Sequence, residues 1–206
     1  MLNLKGHTMT GDEGHVGVYA LNVSDVRIVG PGTIRNYNHG VLFEGVSSAY
    51  VGDLTTKKNF SWGILILDGS SAVTVERVTA ASNGKSGVQA VDSTGVLVTR
   101  STLTGNPSTG VTFFLDAHDS RVENSTFTGN FAGVWSYGDG NEITGNQITG
   151  GAYGIILDDT ATNNAVTGNA STANSTYDMF DDNGPTCGSN TWSGNTFDTR
   201  NQPCIN

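Results

Sequence analysis

Five side chains along this sequence have the chemistry of acid–base work. His15 lies two residues before Gly17 and His39 one before Gly40, while Lys85 repeats the His15 position before Gly87 and Lys57-Lys58 precede Asn59. A neutral base beside a cation that can offset a carboxylate is what proton abstraction next to a carboxylate requires. His39, Lys58 and Lys85, with nearby Glu44, form the candidate catalytic set. A second constellation is acidic. Asp68, Asp92, Asp116, Asp139 and Asp159 recur at a similar place along the chain. Carboxylates repeated in this way either cap turns or gather oxygens for a cation, and Ca²⁺ takes six to eight such oxygens. Asp68, Asp92 and Asp116 are the candidate metal ligands. A third set is aromatic: Trp62, Phe114, Trp135 and Tyr137. No Ser-His-Asp order, His-Glu-x-x-His or glycine-rich phosphate loop is present.

These residues hang on a repeat. A cassette of glycine, an apolar residue and an alternating pattern opens at 17, 40, 63, 87, 110, 133 and 154, with a degraded copy at 178. The steps are 21 to 24 residues. A fixed period of this length marks a solenoid, whose coils bury their apolar faces only against one another. Two shorter apolar runs precede each cassette, as in Val26-Arg27-Ile28 and Thr33-Ile34-Arg35, so each coil should hold three short strands with side chains alternating in and out. Asn36, Asn59, Asn83, Asn106 and Asn174 each lie four residues before a cassette and Asn130 lies three before its own. Asparagine suits tight turns, and amides stacked at this spacing predict an internal ladder.

Parity assigns an outer face. Tyr19, Leu42, Leu65, Gln89, Thr112, Trp135, Ile156 and Phe180 form one outward row, and Leu21, Glu44, Leu67, Val91, Phe114, Tyr137, Asp158 and Asp182 a second. So apolar a face reads in three ways: covered by a side-chain canopy or another segment, a homo-oligomer contact, or a platform on which sugar rings stack.

Composition removes some function classes. A net charge of −9 disfavours nucleic acid, whose affinity rests on Lys and Arg neutralising phosphates. No apolar run approaches the roughly 20 residues needed to cross a bilayer. The two cysteines, Cys187 and Cys204, enclose the last stretch of chain. They read as free thiols or, preferably, as a disulfide stapling a frayed end, which would imply an oxidising compartment. Met1 opens directly on strand-like Leu2-Asn3-Leu4 without a leader pattern, so the natural chain is expected to extend upstream.

The cassettes, the asparagine column, Ser125-Thr126-Phe127-Thr128-Gly129-Asn130 and the entry strand Leu4-Lys5-Gly6-His7-Thr8-Met9 together resemble right-handed parallel β-helix repeat proteins. The likeness is to the pectate-lyase-like class, and to NosD-like carbohydrate-binding and sugar-hydrolase repeats in particular. It implies an all-β fold, a right-handed parallel β-helix of about eight coils over residues 1–186, with a C-terminal capping tail over 187–206. It also implies a secreted or periplasmic protein that binds or acts on polysaccharide, uronate-containing glycans included, with lyase or epimerase chemistry where a catalytic set exists. Trp62, Phe114, Trp135 and Tyr137 would then contact sugar. The alternative is a non-catalytic assembly protein that oligomerises through its apolar outer face. The class's arginine and Asp-Pro-His-Asp motifs are absent, and no insertion between cassettes is long enough to wall a deep cleft.

Overall fold

The structure, a computed structural model, describes residues 1–206. It is all β. Every strand is short and pairs in parallel with its counterparts one coil before and one coil after. Three sheets result. The first runs from Leu2–Asn3 to Thr191–Ser193 in nine strands, and the second from Thr8–Thr10 to Thr196–Phe197 in nine. The third, built from the cassettes, runs from Val16–Leu21 to Tyr177–Asp181 in eight. The chain therefore makes about nine turns, one more than the cassettes suggest. The ninth contributes strands to the first two sheets and only an isolated bridge, Met179 to Arg200, to the third. Within residues 187–206, Thr191–Ser193 and Thr196–Phe197 add strands to the first two sheets.

The register follows the cassettes. Val18, Val41, Ile64, Val88, Val111, Val134, Ile155 and Met179 face one another in sequence through the third sheet. From Val41 onward all are buried. The opening glycine has a non-local cause. A Cβ on Gly63 would lie 2.5 Å from the carbonyl oxygen of Gly87, and one on Gly40 2.5 Å from that of Gly63. Successive coils approach too closely there for any side chain.

Buried amides stitch the turns. Asn59, Asn83, Asn106 and Asn130 form a ladder in which each Nδ2 donates to the next Oδ1 at 2.9, 3.1 and 2.9 Å. The backbone N–H of each residue donates to the same oxygen one coil on. Asn36 is not a rung: it occupies the left-handed turn (φ 58), and the Tyr37 N–H reaches Asn59 Oδ1 instead. Gly151 breaks the ladder because it has no amide to offer, and Asn174 accepts its N–H. Two further columns escape the periodic reading because the residue type changes along them. One runs Val78, Ser101, Ser125, Asn146, Asn169 and Asn195. The other runs Val96, Ser120, Asn141, Asn164 and Asn190.

The C-terminal end is closed. Cys187 and Cys204 form a disulfide, their Cα atoms 5.9 Å apart. Ile205 is buried beneath it, and Trp192 donates from Nε1 to Asp181 Oδ2 at 2.7 Å.

Candidate functional site

The outer face of the third sheet carries the site candidates, and its first property is coverage. Leu65 and Ile156 point outward by parity, yet they are only 6% and 5% exposed and lie outside the main core cluster. Long neighbours on adjoining coils cover them. Of the three readings of this face, the canopy is the one that these two side chains meet: residues of the chain itself cover them.

That canopy is aromatic over the later coils. Phe114 meets Tyr137 edge to face at 4.9 Å, and Tyr137 stacks on Trp135 at 5.0 Å with an 18° interplanar angle. Trp135 approaches Phe131, Phe131 approaches Tyr153, and Tyr153 and Tyr177 both contact Phe180. Seven rings thus touch in one chain across the face. Offset and edge contacts of this kind hold rings in place beyond what area burial alone would do. Phe131, Tyr153 and Tyr177 were missed as members from sequence. Phe131 follows an asparagine of the column, as Tyr37 and Phe60 do, an aromatic repeat left unread, while Tyr153 and Tyr177 lie one residue before their cassettes, as His39 does.

Clefts border this row. One of about 830 Å³ is lined by Leu115, Asp116, Tyr137, Asp139 and Asp158 among others. A smaller one of about 150 Å³ lies between Trp135, Ile156, Asp158 and Phe180. Asp158 belongs to both, and its Oδ2 accepts from Trp135 Nε1 at 3.4 Å. Burial first, then a hydrogen bond to Asp159, pushes the Asp158 carboxyl above its usual range. Burial, with the Asp158 charge second, pushes the Tyr137 phenol up to about 12.

On earlier coils of the same face the structure brings together part of the candidate catalytic set. The His39 ring lies 5.0 Å from that of Trp62, and Lys85 Nζ sits 4.2 Å over the Trp62 ring. Trp62 Nε1 donates to Gln89 Oε1 at 2.7 Å. Burial, and then the Lys85 charge, hold the His39 imidazole below its usual value, so it is a neutral base at pH 7. Its Nδ1 is buried without a hydrogen-bond partner. Glu44 does not join it. His39 and Glu44 stand at opposite ends of one strand, about 17 Å apart at 3.3 Å per residue, and Glu44 accepts from the Tyr19 hydroxyl at 2.6 Å. Lys58 is exposed in a left-handed turn position.

The repeated acids sit in turns. Asp68 and Asp92 take left-handed backbone (φ 56 and 45), and Asp139 Oδ1 accepts from the N–H and hydroxyl of Thr162 at 2.8 and 2.9 Å. Asp116 and Asp159 are exposed. No three His, Cys, Asp or Glu side chains gather at a point that could hold a metal ion.

Three parallel sheets and stacked amides define the pectate-lyase-like parallel β-helix fold. Within it, the chain belongs to the NosD family, described as periplasmic copper-binding protein, whose model matches residues 5–202. Among solved structures, an alginate lyase from Paenibacillus sp. str. FPU-7 superposes with a TM-score of 0.83 at 14% identity, covering 99% of this chain and 79% of that one. The periplasmic alginate epimerase AlgG gives 0.77 at 14% identity over 91% of this chain, which spans only 47% of AlgG. PfbA, a surface adhesin of Streptococcus pneumoniae, gives 0.67 at 11% identity, covering 98% of this chain and 60% of that one. A search of curated proteins found no match. At these identities the likeness establishes the fold alone.

The family description raises copper, which favours sulfur and imidazole donors. Both cysteines are consumed in the disulfide, Met179 is buried in the core and Met9 packs against it, Met1 is the exposed first residue, and the four histidines join no cluster of three His, Cys, Asp or Glu donors. The residues present do not fit a copper centre.

Proposed function

We propose that this chain is an extracytoplasmic polysaccharide-binding β-helix that seats a glycan across the outer face of its third sheet. The observation that carries the reading is the continuous row of seven rings from Phe114 to Tyr177, all half-buried but the exposed Phe131, and locked by mutual contact. Rigid aromatic faces backed by a sheet suit the apolar faces of pyranose rings and lose little entropy on binding. The family's periplasmic description and the disulfide favour an oxidising compartment. The epimerase and lyase among the structural neighbours favour a polysaccharide partner. Lyase or epimerase turnover would draw on His39 as base and Lys85 as cation beside Trp62, without Glu44. Assembly through the apolar face draws less support, because Leu65 and Ile156 are already covered.

Affinity electrophoresis through gels containing single polysaccharides tests the proposal. Wild-type protein should be retarded by at least one glycan, and Trp135→Ala should weaken that retardation about tenfold, the loss expected for a central aromatic anchor, with an unchanged melting profile. Retardation unaffected by Trp135→Ala, or a self-associating protein that no glycan slows, would overturn it.

A further inference from the structure

The charges around the aromatic row are one-sided. Between Arg121 and Arg200 the sequence contains no Lys or Arg, and this interval supplies six of the seven rings. The arginines nearest in sequence are engaged elsewhere: Arg200, bridged to Met179 at the end of the third sheet, donates to the Ile205 carbonyl and lies over the Phe197 ring. Arg121 pairs with Glu142 at 2.8 Å, Arg100 with Glu76, and Arg77 with Asp53. Lys85 is held over Trp62, two coils before Trp135. The walls of the larger cleft are meanwhile acidic: Asp116, Asp119, Asp139 and Asp158. Its one basic side chain, His118, is exposed and already bonded to Asp119 at 2.9 Å.

A chain of uronates carries a carboxylate on every sugar. Laid on this row it would meet carboxylates with no counter-charge, and like charges placed together are a strong device against the wrong partner. An uncharged sugar meets the same groups differently. Its ring stacks on an aromatic face while its hydroxyls, projecting around the ring edge, donate to carboxylate oxygens. Asp158 stands at that edge, its Oδ2 3.4 Å from Trp135 Nε1, and it borders both clefts.

Building on the polysaccharide-binding reading, we infer that the Trp135–Tyr137 platform takes uncharged pyranose units, with Asp158 receiving their hydroxyls, and excludes uronates. This departs from the alginate-directed neighbours, whose names point to an acidic glycan.

Tryptophan fluorescence titration of the full chain with hexasaccharides separates the possibilities. The probes are gluco-, manno-, galacto- and xylo-oligosaccharides against oligomannuronate and oligogalacturonate, each in EDTA and in Ca²⁺, at low salt and neutral pH. At least one neutral probe should bind at least about tenfold more tightly than either uronate. Trp135→Ala should weaken that binding about tenfold, read by isothermal titration calorimetry because the variant lacks the reporting ring, and Asp158→Ala should weaken it. Asp116→Lys, an exposed change in the cleft wall, should narrow the gap by admitting the uronates, and circular dichroism checks that each variant is folded. Uronate binding that equals or exceeds neutral binding, in either buffer, overturns the inference. If Trp135→Ala also weakens that uronate binding, the polysaccharide-binding reading survives without it. If no probe of either class binds, both fall together.

Discussion

Individual side chains show how a charge can be kept inside so neutral a core. Asp178 is buried where the third sheet ends. Its Oδ1 accepts from the N–H and amide of Asn174 at 3.1 and 2.8 Å. Its Oδ2 accepts from the N–H groups of Asp198 and Thr199 and from the Thr199 hydroxyl at 2.9–3.0 Å. Burial pushes this carboxyl up, but the bonds from Asn174 and Thr199 outweigh it and hold the group below its usual range. A carboxylate with a depressed folded value stabilises the fold above its unfolded value, and that contribution is lost as pH falls through the folded value. Asp178→Asn turns an NH₂ against groups that are themselves donors. We expect it to cost about 2–4 kcal/mol in urea unfolding at pH 7, given 1–3 kcal/mol for each charged or stranded partner. The cost should shrink as pH drops below the ordinary carboxylate range. An equal loss at every pH would show that the carboxylate charge is not the cause.

Among the repeating elements, stability is shared between apolar stacks and amide columns, and the two differ in how far a sequence exposes them. The cassette stack was legible because Val and Ile hold one position at a constant step. The Asn59–Asn130 ladder was legible for the same reason. The columns that pass from valine through serine to asparagine were not, since their common feature is an oxygen or a methyl filling the same turn rather than a residue type. The ninth turn went uncounted because it lacks the cassette strand by which turns were counted. In the candidate site, Phe114, Trp135 and Tyr137 could be named from alternation and Trp62 from its aromatic type, but which of them touch needed coordinates. So did the separation of Glu44 from His39. Asn106 tests the ladder. It accepts from Asn83 and donates to Asn130 and to the Ala80 carbonyl. Asn106→Ala should destabilise the protein by about 2–4 kcal/mol by stranding buried donors and an acceptor. Amide exchange should accelerate most in the neighbouring coils. A loss below about 0.5 kcal/mol, as for an ordinary surface change, would mean water replaces the rung.

At the scale of the whole molecule the fold is a column in which each turn touches only its neighbours, so its ends decide its persistence. The C-terminal end carries the staple. Reducing Cys187–Cys204 opens a loop with a sequence separation of 17. This should lower stability by about 3 kcal/mol in the chain-entropy account, with exchange rising first in residues beyond 180. Uniform acceleration along the chain would indicate that the coils melt as one unit rather than from that end.

The amide columns also have a direction. In each the backbone N–H belongs to the earlier coil and the accepting side chain to the later one, from Tyr37 with Asn59 through to Asn169 with Asn195. A coil is therefore unfinished until its successor arrives. During synthesis, which runs from N- to C-terminus, the youngest coil always holds open donors that recruit the next. Shortening the protein from its C-terminal end re-creates that edge of open backbone N–H groups, whereas removing an early coil instead strands the side-chain amides that reach back to its carbonyls, as Asn83 does to Thr56 and Asn106 to Ala80. The column has a direction, each coil offering its open donors to the coil that follows.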